Sequence, residues 1–181
     1  LLSTIAPVYA QEVPGEPSGH EIAVFVDELE DGDDQISEAN WTLTNSKGKT
    51  RRRHTIRYWK DYDGKDGLSS KSFIYFKSPP DVKDTTFLSW SQEDVEADDD
   101  QWIYLPALRK VRRIASGNKE NSFMGSDIIY DDMADREVGE DTHTLLRVEQ
   151  ENGTKFYVLE SIPKKEKYIY SKKLRWVNAE N

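Results

Sequence analysis

The chain has 181 residues, a formal charge of −9 and no cysteine. The missing thiol excludes disulfides, cysteine nucleophiles and thiolate metal sites, and the sign of the charge argues against a nucleic-acid binder. Five Trp, nine Tyr and six Phe argue against disorder over most of the length. At this size one domain buries roughly 70% of the surface of its unfolded chain, so an independent core is feasible.

Residues 1–10 are apolar and uncharged, and Val8-Tyr9-Ala10 fits a small-x-small cleavage site ahead of the polar Gln11-Glu12. They read as the end of a signal peptide, exporting a mature chain from residue 11. Export without a cysteine for lipidation, and with no apolar run long enough to span a bilayer, leads to the expectation of a periplasmic protein.

Pro14, Gly15, Pro17 and Gly19 mark an irregular lead-in. Ser18 is placed to cap a helix, with Glu21 as its reciprocal partner. Ile22, Phe25, Val26 and Leu29 then recur at helical spacing, and Asp31-Gly32-Asp33-Asp34 reads as a turn. From residue 40 the pattern changes to strands. Trp41–Thr44 and Thr50–Trp59 flank Ser46-Lys47-Gly48-Lys49, a hairpin signal. Lys71–Lys77 is dense in aromatics and is stopped by Pro79-Pro80, and Thr85–Ser91 precedes an acidic loop from Glu93 to Asp100. Trp102–Leu105 and Arg109–Ala115 flank a turn at Pro106, and Asp127–Arg136 is ambiguous, with room for a short helical turn. Thr142–Gln150 and Thr154–Ile162 flank Asn152-Gly153, a strong hairpin turn, and Tyr168–Val177 is the last strand. About eight short strands with turns between them predict a mostly antiparallel α+β fold. A strand at the end of the chain would leave an edge exposed, so the reading is of a single domain over 11–181 whose C-terminal part is missing.

Strand alternation sorts the aromatic residues into faces. Trp102 and Tyr104 share one face, as do Phe73 and Tyr75; Phe87 pairs with Ser89, opposite Leu88 and Trp90. Each of these residues is either sheet core or the lining of an apolar binding site. The basic run Arg109, Lys110, Arg112 and Arg113 has two readings. It is a docking patch for an acidic partner or lipid headgroups, or a structural network with Asp127, Asp131 and Asp132. Phe123 and Met124, ahead of Gly125-Ser126-Asp127, form either a mobile gate or a tight turn.

Catalytic and metal signals are weak. Asp61-Tyr62-Asp63-Gly64-Lys65-Asp66-Gly67 misses the EF-hand register. Asp98-Asp99-Asp100 are consecutive and do not converge on one substrate atom. His20, His54 and His143 show no metal spacing. Arg51-Arg52-Arg53-His54 with Trp59 suggests a nucleic-acid strand, but the net charge and expected export oppose it.

The segment Trp102-Ile103-Tyr104-Leu105-Pro106-Ala107-Leu108-Arg109-Lys110-Val111-Arg112-Arg113-Ile114, followed by Phe123-Met124-Gly125-Ser126-Asp127, resembles the LolA-like outer-membrane lipoprotein-sorting proteins. The likeness is strongest to the subgroup that accompanies RND-type exporters. Weaker support comes from Phe76–Lys83 and Tyr168–Val177, and the likeness covers about residues 40 to 178. The resemblance implies a curved half-barrel sheet with helices across its concave face. It also implies a periplasmic chaperone that carries lipoprotein acyl chains or related lipid towards the outer membrane and works with an inner-membrane exporter.

On this reading the ligand-binding residues are Phe73, Tyr75, Phe87, Trp90, Trp102, Tyr104, Phe123 and Met124. The partner-docking residues are Arg109, Lys110, Arg112 and Arg113. No cofactor, metal or catalytic group is expected, and the protein is not an enzyme. The alternative is a periplasmic lipoprotein-sensing regulatory or accessory protein on the same fold. A hydrolase using an acid of the 93–100 loop is a more distant rival.

Overall fold

The computed structural model describes residues 13–29, 32–94, 97–166 and 168–180. The expected signal-peptide remnant, residues 1–10, lies outside the described residues. The chain divides into two compact units. Among the described residues, one unit holds those up to 29 together with those from 137 onwards, and the other holds those from 32 to 136. Nine strands and one α-helix are found among the described residues, and every strand pair is antiparallel. The fold class is the one expected, α+β with mostly antiparallel strands.

In the first unit, α1 (Gly19–Asp27) begins at the predicted capping box. The Ser18 backbone N–H donates to Glu21 Oε2 at 2.8 Å, and the Glu21 N–H donates to Ser18 Oγ at 3.2 Å. Ile22 and Ala23 are buried against Leu145 and Leu159, which belong to the sheet β7 (Asp141–Glu151), β8 (Thr154–Pro163) and β9 (Lys173–Asn178). Phe25 and Leu29, expected on the apolar face, are exposed instead. Gly19 sits so close to β7 that a Cβ there would lie 2.5 Å from Thr144 Cα. The β7–β8 turn is the predicted Asn152-Gly153, both residues having positive φ, as such a hairpin turn requires. Strand β9 starts at Lys173 rather than Tyr168. Ahead of the helix, Glu16 accepts from Lys155 Nζ at 2.7 Å and from the Tyr157 hydroxyl at 3.1 Å.

The second unit is a six-stranded meander in sequence order. It comprises β1 (Asp34–Thr44), β2 (Thr50–Asp61), β3 (Leu68–Ser78), β4 (Thr86–Gln92), β5 (Asp100–Leu105) and β6 (Lys110–Arg113). Strand β1 begins seven residues before the expected Trp41, because its first half carries Ile36 as its one large apolar residue and so lacks the alternation that marks a half-buried strand. The β1–β2 turn is pinned by Asn45, whose side-chain oxygen accepts from the Lys47 and Lys49 N–H groups at 3.0 Å each. The basic strand is short, since Arg109 belongs to the turn with φ 49.

One face of this sheet is dry. Ile74, Phe76, Phe87 and Ile103 bury there with Val82 and Phe123, and Trp41, Leu105, Ile114, Met124, Tyr130 and Met133 pack around them. The cover is a turn-rich segment, residues 114–136, built from short 3-10 turns. The ambiguous stretch at 127–136 resolves into one such turn, Asp131–Met133. Phe123 is its anchor. Its ring meets Phe87 at 5.1 Å, Tyr130 at 5.4 Å, Phe76 at 6.1 Å and Trp41 at 6.2 Å between centroids.

Removing that anchor leaves a cavity that the surrounding strands cannot collapse to fill. Phe123→Ala is expected to destabilise the second unit by about 3–5 kcal/mol. Equilibrium denaturant unfolding followed by tryptophan fluorescence measures this, since Trp41 reports directly on the site.

Candidate functional site

The opposite face of the six-stranded sheet carries a row of apolar side chains. The register aligns Ile36 with Tyr58, Tyr58 with Phe73, Phe73 with Leu88, Leu88 with Trp102, and Trp102 with Arg113. One row of apolar groups thus crosses five strands and ends on a cation at the sixth. A parallel row joins Ile56, Tyr75, Thr86, Tyr104 and Val111. Ile36 is 70% exposed, Val111 65%, Tyr58 44% and Phe73 37%. Isolated exposed apolar residues are ordinary, but contiguous ones mark interaction surfaces. At its centre the face hollows into a cavity of about 380 Å³ lined by Phe73, Thr86, Leu88, Trp90, Trp102, Tyr104 and Val111.

Polar groups flank the rows on both sides along the strand direction. On one side Glu38 accepts from His54 at 2.9 Å and lies 3.6 Å from Lys77 Nζ. The His54 hydrogen bond, with Lys77 adding, holds the Glu38 carboxyl below its usual range. Nearby, the Tyr75 hydroxyl donates to Asp84, and that bond raises the Tyr75 pKa. On the other side Lys71 Nζ lies 4.2 Å from the Trp90 ring centroid and 4.3 Å from that of Tyr62, a cation–π arrangement. Trp90 and Trp102 meet edge to face at 5.1 Å.

The structure divides the eight ligand-binding candidates. Phe73, Tyr75, Trp90, Trp102 and Tyr104 stand on the open face. Phe87 and Phe123 are 0% and 1% exposed in the core of the other face, and Met124 packs beside them. A molecule on the open face therefore does not touch those three. Met124 (φ 52) and Gly125 (φ 71) form a tight left-handed turn, held by the Arg53 guanidinium, which donates to Met124 O at 2.6 Å.

Sequence reasoning missed Ile36, Tyr58, Leu88 and Val111 as members of this surface. The available signal was the hairpin turn at 45–49, which by fixing the β1–β2 register brings Ile36 opposite Tyr58.

The basic run lies on the edge strand β6, all four residues of which are exposed. Charge on both faces suits an edge, where it discourages pairing with another chain. Arg113 is paired with Asp100. Asp131 faces Arg136 at 3.8 Å, and Asp132 accepts from the Ile129 N–H. Arg109, Lys110 and Arg112 project from the edge without an ion pair among the described residues. No group of three or more His, Asp or Glu among the described residues could hold a metal ion, and no described helix is long and apolar enough to cross a membrane.

A family model described as uncharacterized protein matches residues 68–181, more than half of the chain. Among solved structures, a DUF1329 family protein from Desulfovibrio piger is 38% identical with a TM-score of 0.79, over 89% of this chain and 67% of that one. A protein domain from Vibrio parahaemolyticus named for outer membrane lipoprotein sorting is 33% identical with a TM-score of 0.77, over 90% of this chain and 67% of that one. A LolA superfamily protein from Nitrosomonas europaea shares the fold at 18% identity and a TM-score of 0.60, over 92% of this chain and 68% of its own. No curated protein matches significantly.

The Glu38 cluster has a defined pH signature. Its folded pKa lies below the ordinary glutamate value. The stabilisation from its partners is therefore complete above the unfolded pKa and fades as pH falls through the folded one. A carboxyl-carbon NMR titration is expected to give a Glu38 midpoint below 4.5 that moves up towards it in His54→Ala.

Proposed function

Because the chain belongs to the LolA-like outer-membrane lipoprotein-sorting family, we propose that the open face of its six-stranded sheet holds the acyl chain of a lipoprotein or related lipid, and that the protein is a periplasmic carrier rather than an enzyme. The observation that carries this reading is the unbroken apolar row from Ile36 to Trp102. Four inter-strand spacings at about 4.8 Å give it a length near 19 Å, comparable with an extended long acyl chain. A chain of about sixteen carbons gains on the order of 12 kcal/mol on leaving water, at about 0.8 kcal/mol for each methylene, before ordering costs are subtracted. That driving force needs shape and dryness, not hydrogen-bonding groups. The aromatic walls of Phe73, Trp90, Trp102 and Tyr104 supply the surface, and the charged groups on either side of the rows bound it.

The edge strand β6 supports the second half of the proposal. Arg109, Lys110 and Arg112 present positive charge at the margin of the same sheet, in a chain of net negative charge. Such a patch steers docking onto an acidic partner, for which the family resemblance suggests an inner-membrane RND-type exporter. Arg113 holds the inner end of the patch to Asp100.

Native mass spectrometry with lipid extraction, on the full-length protein taken from its own periplasm, tests the carrier reading. A lipid or lipopeptide in defined stoichiometry is expected. Trp102→Gln should lower retention by about tenfold or more, since burying one large apolar side chain contributes about 1.5–3 kcal/mol. The combined variant Arg109→Glu, Lys110→Glu and Arg112→Glu should keep its lipid but lose transfer to exporter-containing membranes. A protein that emerges without lipid and takes none up would instead favour the accessory or sensing role.

A further inference from the structure

The covered face of the six-stranded sheet holds a second cavity, of about 490 Å³, at the turn end of β1 and β2. Its walls include Trp41, Leu43, Lys49, Arg51 and Arg53, with Asp127 from the segment that follows the left-handed turn. Arg51 and Arg53 stand two residues apart on one strand, so their side chains leave the same face. The register sets them opposite Leu43 and Trp41, and Lys49 adds a third cation from the adjacent turn. Three cations against one carboxylate leave a formal charge of +2 on the lining, in a chain that carries −9.

Structural duties account for only part of this charge. The Arg53 guanidinium is part-buried, donates to Met124 O, and makes no ion pair among the described residues. Burial and the neighbouring Arg51 both pull its pKa down, and Asp81 only partly opposes them. Like charges brought together beside a half-dry cavity cost stability unless something neutralises them. Lys49 and Arg51 are exposed and also lack an ion pair among the described residues. The planar forks of two arginines fit a tetrahedral oxyanion, and a lysine adds a point charge. The volume exceeds that of a bare oxyanion, leaving room for the organic group attached to it.

We propose that this cavity binds a phosphate group, carried either by a phospholipid headgroup or by a soluble phosphoester, with Arg51, Arg53 and Lys49 as its ligands. The site is on the opposite face from the apolar rows and does not depend on the carrier reading.

The experiment measures binding by the full-length protein in three arms. Inorganic phosphate and glycerol 1-phosphate are titrated by calorimetry, and flotation compares phosphatidylglycerol with phosphatidylcholine vesicles. Glycerol 1-phosphate binding expected from a soluble phosphoester site, or flotation with phosphatidylglycerol vesicles alone expected from a headgroup site, supports the proposal. Arg53→Gln also removes the bond to Met124, so the decisive variant is Lys49→Gln with Arg51→Gln, both at exposed positions. It should weaken binding at least tenfold with unfolding unchanged. Lys60→Gln, on the same strand but the opposite face, should leave binding intact. Absence of binding in every arm, or equal loss in Lys60→Gln, overturns the proposal.

Discussion

The seating of Phe123 against Phe76, Phe87, Trp41 and Tyr130 is the interaction on which the six-stranded sheet depends. A lone sheet exposes two faces to water and buries neither. One aromatic ring, delivered by a turn-rich segment, closes the dry side of this one. The turn that delivers it is unusual, since Met124 adopts φ 52 although a residue with a Cβ pays for the left-handed conformation with local strain. The Arg53 bond to Met124 O and the packing of Met124 against the core offset that cost. Because the cover occupies one face, the apolar rows on the other have no partner within this unit, and their exposure follows from the same event that makes the core.

Charge is distributed with the same logic. A chain of net −9 collects arginine and lysine at two places on this sheet, the β6 edge and the turn end of β2. At the edge the charges project into water and keep the unpaired backbone from recruiting another strand. At the turn end they face a cavity. The first arrangement has a sufficient structural explanation, and its docking role is a proposal that rests on the family; the second is poorly explained by structure alone. Between them the apolar rows are flanked by charged and hydrogen-bonded groups, which gives the face an apolar centre and a polar boundary.

What the arrangement can do is hold and release. The candidate surface offers dispersion and the hydrophobic effect, which are non-directional and tolerate varied cargo. No described carboxylate pair, nucleophile or metal cluster converges on the hollow lined by Trp90 and Trp102. For the acyl-chain cargo proposed above, the free energy available is large before ordering costs, so an open, shallow site would suit handing that cargo on better than a deep enclosed pocket.

Local features were legible in the amino-acid sequence alone: the Ser18–Glu21 capping box, the Asn152-Gly153 turn, the β3 to β5 strands and the alternation that groups Trp102 with Tyr104 and separates Phe87 from Trp90. Each is decided by interactions over a few residues, where turn chemistry and the period of two act directly. The family motif across Trp102–Asp127 was legible for the same reason, being one continuous stretch. Only the tertiary structure decided which face is dry. Phe73 and Phe87 read alike in a strand pattern, and they separate because Phe123, distant in sequence, lands on one face and not the other. Likewise the row from Ile36 to Trp102 exists only through the register of five strands, and the basic cavity only because Arg51 and Arg53 are brought beside a turn more than seventy residues further along the chain. Long-range packing of this kind leaves no local trace, so the sequence determined the parts and their succession along the chain, and the fold determined which parts face one another.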